Sequence, residues 1–118
     1  MDIIKKTNLT DLYKKLPEGL NEKISQEGLN ISGGEIQRIG IARALINNPE
    51  IIFLDESTSA LDTFTENKIL NEINSLNKTI ISISHRINSL RYCDKIYYLK
   101  NGIIEDEGKF KKFNKQIN

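Results

Sequence analysis

The strongest constraint on this chain is the run Ile51-Ile52-Phe53-Leu54, which passes without a break into Asp55-Glu56. A continuous apolar run of this length is the pattern of a parallel strand covered by helices on both faces. A second such strand is expected over residues 79–84. Between them, from about 62 to 76, Phe64, Ile69, Leu70, Ile73 and Leu76 fall on one side of a helix. Strand, helix and strand in this order imply a right-handed crossover within one parallel sheet. Sites in such sheets lie beyond the carboxyl ends of the strands, where Asp55, Glu56 and His85 all fall. The carboxylates suit metal-nucleotide hydrolysis, one serving Mg²⁺ and the other polarising the attacking water. Taken singly, Asp55-Glu56 reads equally well as a solvated strand end, and His85 as a satisfied polar residue or a helix cap.

Upstream, Ser32-Gly33-Gly34-Glu35 is a Ser-x-x-Glu capping box that starts a helix at Gly33. Ile31 and Ile36 have the spacing of a hydrophobic staple, and the two glycines leave the first-turn amides open to an anion. On its own the motif is an ordinary helix cap. The helix is expected to run over 33–46, with Ile36, Ile39, Ala42, Leu45 and Ile46 at helical spacing, Gly40 and Ala44 allowing close packing, and Asn47-Asn48-Pro49 as its stop. Residues 10–15 predict a short helix capped near Thr10 or Asp11 and ended by Pro17, and 20–29 an irregular loop. Asn101-Gly102 between 95–99 and 103–107 predicts a two-residue hairpin. The basic tail, 108–118, is expected to fray.

Composition narrows the function. With 118 residues the chain has room for one core. Lys+Arg 17 against Asp+Glu 16 leaves a net charge of +1, which gives no electrostatic case for nucleic acid or an anionic membrane surface. The single cysteine, Cys93, cannot form an internal disulfide and reads as packing; no Cys/His group has zinc spacing. Neither a signal peptide nor a membrane-spanning apolar run is expected.

These residues resemble the C-terminal portion of an ATP-binding cassette (ABC) domain, the motor of ABC transporters, over about residues 16–108. Ile31-Ser32-Gly33-Gly34-Glu35 with Gln37-Arg38 resembles the signature motif, and Ala42-Arg43-Ala44-Leu45 continues its helix. The strand at 51–56 resembles Walker B, with Glu56 in the place of the catalytic base. Ser59-Ala60-Leu61-Asp62 is similar to the D-loop, and His85 stands where the switch histidine belongs. Ile31 in place of leucine and Glu35 in place of glutamine are mild departures. Glu35 adds a negative charge near a phosphate-binding end, and the capping box offers to turn it toward Ser32.

The resemblance implies an α/β fold, a fragment of the P-loop NTPase parallel sheet with flanking helices and a C-terminal β-hairpin at 95–107. It also implies that 1–118 is an incomplete part of one domain. The implied cofactors are ATP and Mg²⁺. Ser32, Gly33, Gly34 and Glu35 would meet the γ-phosphate of ATP bound by a second nucleotide-binding domain. Asp55 would serve Mg²⁺ through water, Glu56 the attacking water, His85 the γ-phosphate, and Ser59, Ala60, Leu61 and Asp62 the contact between subunits. Leu16-Pro17-Glu18-Gly19 and Ser25-Gln26-Glu27-Gly28 resemble the segment that faces the coupling helices of a transmembrane domain in exporters. The implied place is the cytoplasmic face of a membrane, held there through that domain.

One element is missing from the sequence: no Gly-x-x-x-x-Gly-Lys-Ser/Thr phosphate loop occurs, and Gly102 to Gly108-Lys109 has one residue too many and no hydroxyl. The resemblance then implies a missing N-terminal half that carries this loop, and a chain inactive without it. In the family the phosphate-loop strand lies between the strand before the switch histidine and the later hairpin. Without it Ile80, Ile81 and Ile83 would present an apolar edge, and the hairpin would be mobile or docked elsewhere. Two other readings stay open here: the C-terminal half of a chromosome-maintenance or DNA-repair ATPase, and a decayed fragment without activity.

Overall fold

The structure, a computed structural model, describes residues 2–24 and 31–114. The proposed coupling segment Ser25-Gln26-Glu27-Gly28, with the rest of 25–30, and the end of the tail, 115–118, lie outside the described residues. In chain order the elements are α1 (Asp2–Lys6), α2 (Thr10–Lys15), α3 (Gly33–Ile46), β1 (Ile51–Asp55), α4 (Thr63–Asn74), β2 (Thr79–Ile83), β3 (Ile96–Lys100), β4 (Ile103–Gly108) and α5 (Phe110–Asn114). Short 3₁₀ turns cover Gly19–Asn21 and Ile87–Tyr92.

β1 and β2 pair in parallel, in register from Ile51↔Thr79 to Asp55↔Ile83, so the strand–helix–strand reading holds. The core lies on one side of this sheet. Ile52 and Leu54 of β1 meet Ile41 and Leu45 of α3 and Ile69, Leu70 and Ile73 of α4, with Leu61 closing the cluster from the connecting loop. Ile69 is fully buried and Ile73 nearly so, which makes α4 the main apolar contributor.

The expectation that β1 is covered on both faces is not met. Ile51 and Phe53 are 52% and 70% exposed, and on β2 Ile81 and Ile83 face out with them. A run that reads as doubly buried is therefore half exposed among the described residues.

α3 has the expected span, but its core contacts are Ile41, Ala42 and Leu45, while Ile36 and Ile46 are exposed. Gly40 and Ala44 face open surroundings instead of a close partner: a Cβ on Gly40 would meet nothing within 4 Å, and Ala44 is exposed. α4 starts at Thr63 with Phe64 79% exposed, because the buried stripe begins only at Thr65 and Glu66. α2 has Leu9 at its N-cap with no side-chain cap, so neither Thr10 nor Asp11 caps it.

α1 was not anticipated. Asp2 and Lys6 form an i,i+4 ion pair of 2.8 Å, oriented to favour the helix dipole. The hairpin forms at Asn101-Gly102, whose φ values of 52° and 76° are those a tight primed turn demands. Its register shifts between Tyr98 and Leu99, and it stands as a separate two-stranded sheet. The tail does not fray over 110–114: it forms α5, and Phe113 is buried at 5% exposure. Cys93 is free and half-buried, and burial pushes its thiol pKa up, which suits packing.

Candidate active site

Glu56 follows the last residue of β1 and adopts φ 46°, a left-handed conformation costly for a residue with a Cβ. Three hydrogen bonds hold it there. Its amide donates to the Ile83 carbonyl at 3.0 Å, and its carbonyl accepts from the Ser59 amide at 3.0 Å and from Gln37 Nε2 at 3.4 Å. Among the described residues the other positive-φ positions apart from glycine are all asparagines, so Glu56 is the exception there.

His85 arrives from the neighbouring strand. Beyond β2 the Ser84 hydroxyl accepts from the Arg86 amide at 3.0 Å, a turn that presents the intervening imidazole. His85 Nε2 lies 2.9 Å from Glu56 Oε1, with the imidazole 90% exposed and the carboxylate 47%. Asp55, at the end of β1, is exposed beside them. The ends of two adjacent parallel strands thus gather Asp55, Glu56 and His85, as the sheet rule requires.

The capping box of α3 is complete. Ser32 Oγ accepts from the Glu35 amide at 3.2 Å, while Glu35 Oε2 accepts from the Ser32 amide and hydroxyl, both at 2.8 Å. These Ser32 donors, with Arg38 and Lys15 nearby, hold the Glu35 carboxyl below its ordinary value. The extra negative charge at this helix end is therefore drawn onto Ser32.

The loop between β1 and α4 lies against the start of α3. A Cβ on Gly34 would stand 3.2 Å from Leu61 Cδ2 and 3.3 Å from the Ala60 carbonyl oxygen, so Gly34 permits a close approach of backbone. Gln37 then fastens the loop: its Nε2 donates to Ser59 Oγ at 2.9 Å and its Oε1 accepts from the Ala60 amide at 2.9 Å. Asp62, expected between subunits, caps α4 by accepting from the Thr65 amide at 3.0 Å, a bond that lowers its pKa. Ser32, Gly33, Gly34 and Glu35 lie where the start of α3 meets Ser59, Ala60 and Leu61 of the connecting loop, whereas Asp55, Glu56 and His85 lie at the carboxyl ends of β1 and β2.

Sequence reading missed three residues in this region. Gln37 was read only as part of a motif, and Arg86 and Glu66 were given no role. A buried glutamate cannot be told from a surface one by helical spacing alone.

The family model for the ABC transporter matches residues 3–59. The mitochondrial iron-sulfur clusters transporter ATM1 of Saccharomyces cerevisiae is 45% identical over 111 residues, covering 91% of this chain and 16% of that protein. ABC transporter B family member 6 of Dictyostelium discoideum is 41% identical over 110 residues, 92% of this chain and 16% of that protein. The structure of a bacterial Atm1-family ABC exporter with ATP bound superposes with a TM-score of 0.84 at 35% identity, over 99% of this chain and 21% of that one. The chain belongs to the ABC transporter family.

It corresponds to a fragment of an exporter nucleotide-binding domain, an α/β unit with a small parallel sheet and a hairpin. The similar proteins named here are a transporter and an exporter. The chain spans less than a fifth of the length of the two named relatives. No helix among the described residues is long and apolar enough to cross a membrane.

Proposed function

We propose that this chain is the signature and hydrolysis portion of an ATPase that drives export. The observation that carries this reading is the 2.9 Å contact between His85 Nε2 and Glu56 Oε1 at the ends of two paired strands. In this reading Glu56 accepts the proton of the attacking water, and His85 orients Glu56 and donates toward the γ-phosphate. The Ser32–Gly34 end of α3 receives the γ-phosphate of ATP held by a second nucleotide-binding domain, with helix amides and the dipole favouring the anion.

Asp55 is the residue that would hold Mg²⁺, through water. Its carboxylate is exposed at the end of β1. A single carboxylate fits Mg²⁺, which is commonly bound by one or two carboxylates together with phosphates and water. When bound, Mg²⁺ neutralises charge that develops on the phosphates.

The partners in this reading are an N-terminal lobe carrying the phosphate loop, a transmembrane domain and a second nucleotide-binding domain. The motor then works at the cytoplasmic face of the membrane. The test is steady-state ATP hydrolysis by the domain completed with a phosphate-loop lobe. Glu56→Gln keeps nucleotide binding and lowers turnover at least about a hundredfold, since the amide keeps the shape and loses the base. Undiminished turnover in that variant removes Glu56 from the mechanism.

A further inference from the structure

We propose that Arg86 and Glu66 are positioning residues that lock the D-loop to the segment carrying His85, and thereby set the contact between His85 and Glu56. The kinetic consequence rests on the hydrolytic reading above, whereas the geometric claim stands without it.

Glu66 is a carboxylate with a side chain only 5% exposed. Burying a charge is costly unless it is hydrogen-bonded and paired, and this one is both. Its Oε1 accepts from Thr58 Oγ1 at 2.7 Å and from Ser89 Oγ at 2.8 Å, and its Oε2 lies 3.7 Å from Arg86 Nη1. One carboxylate from α4 therefore ties together the loop after Glu56 and the segment after His85. Arg86 closes the link in the other direction: Nη2 donates to the Ser59 carbonyl at 2.7 Å and Nη1 to the Leu61 carbonyl at 3.2 Å.

The consequence follows from how little else holds His85. Its imidazole is 90% exposed, so packing does not fix it, and the backbone on either side must. On one side is β2, paired to β1; on the other is Arg86, whose fork grips two carbonyls of the loop that begins at Glu56. A lysine ammonium has the charge without the planar fork, so Arg86→Lys cannot reproduce this grip. Glu66→Gln keeps an oxygen for Thr58 and Ser89 and loses the charge facing Arg86.

The histidine count of one makes the imidazole resonances of the full chain unambiguous in NMR. In both Arg86→Lys and Glu66→Gln they are expected to move most of the way to the positions seen in Glu56→Ala, which lacks the contact altogether. In the completed domain, kcat for ATP falls about tenfold in each variant while KM stays within about twofold, the signature of lost positioning. Unmoved imidazole resonances in the folded variants overturn the proposal, and a lower melting temperature with unmoved resonances marks Arg86 as a packing residue and also overturns it. Should Arg86→Lys fail to fold, Glu66→Gln decides alone. Should Glu56→Gln leave hydrolysis intact, the hydrolytic reading falls, and the imidazole shifts still decide the clamp.

Discussion

Removing the capping box one half at a time separates two contributions that coincide at neutral pH. Ser32→Ala deletes the acceptor for the Glu35 amide, at 3.2 Å, and the hydroxyl donor to Glu35 Oε2, at 2.8 Å. Loss of such a cap costs about 1 kcal/mol, and water reaches the freed amide at this exposed helix end, so about 1 kcal/mol is the expected loss. That corresponds to a fall in Tm of about 4 °C for a chain of this size. Glu35→Ala keeps the amide cap and loses the carboxylate that accepts from the Ser32 amide and hydroxyl. The folded pKa of Glu35 is depressed below 4.5, so the stability its charge contributes is complete above that pH and is lost as pH falls through the depressed value. Thermal melts followed by circular dichroism should therefore show both variants below the parent at pH 7. As pH falls below 4.5 the deficit of Glu35→Ala should shrink progressively, while Ser32→Ala keeps the part due to the amide cap. A gap for Glu35→Ala that is independent of pH refutes the reasoning.

Ile69→Ala, at a fully buried position, should cost about 3 kcal/mol in urea unfolding, whereas Phe53→Ala, 70% exposed, should change stability by less than about 0.5 kcal/mol. Equal losses would mean that the outer face of the sheet is covered in solution. Titration calorimetry of the isolated chain with MgATP should give no micromolar site, because the sequence contains no phosphate loop. In the completed domain Ser32→Arg should block hydrolysis while the same subunit still binds nucleotide. Equal loss of both would argue against a site shared across a dimer.

What the sequence makes legible here is local. The Ser32 capping box, the stop at Asn47-Asn48-Pro49 and the Asn101-Gly102 turn each depend on residues a few positions apart, and each forms as expected. The arrival of Glu56 and His85 at one sheet edge is legible because two strand patterns restrict where their next residues lie, whereas their 2.9 Å contact is seen only in the structure. The grip of Gln37 on the Ser59 hydroxyl and the Ala60 amide and of Arg86 on the Ser59 and Leu61 carbonyls joins residues 22 to 27 apart, and no periodicity encodes that. The burial of Glu66 is hidden for the same reason: its partners Thr58 and Ser89 come from two separate loops. β1 misled in the opposite sense. Ile51 and Phe53 report an apolar environment that the described residues do not supply, so their exposure marks a surface this sequence expects something else to cover.

The same logic applies to the free edge of β2, and it gives the most direct test of whether this chain is part of a larger sheet. Among the described residues β2 pairs only with β1, and β3 only with β4. A cleft of about 710 Å³ separates them, lined by residues 80–85 on one wall and 95–99 on the other. The hairpin was expected to be mobile or docked elsewhere; it stands across this cleft and does not pair with β2. β2 is about 17 Å long, so one added strand of similar length would satisfy both walls and cover part of the apolar surface at Ile81 and Ile83. Left open, an edge of this kind invites association with other chains. Co-expression with a lobe carrying a phosphate-loop strand should therefore raise solubility and slow amide exchange at residues 80–83 by at least about tenfold, because exchange there no longer proceeds from an unpaired edge. A lone chain that is monomeric, cooperatively folded and already fully protected at those amides would show that the cleft needs no strand and that the unit is self-sufficient.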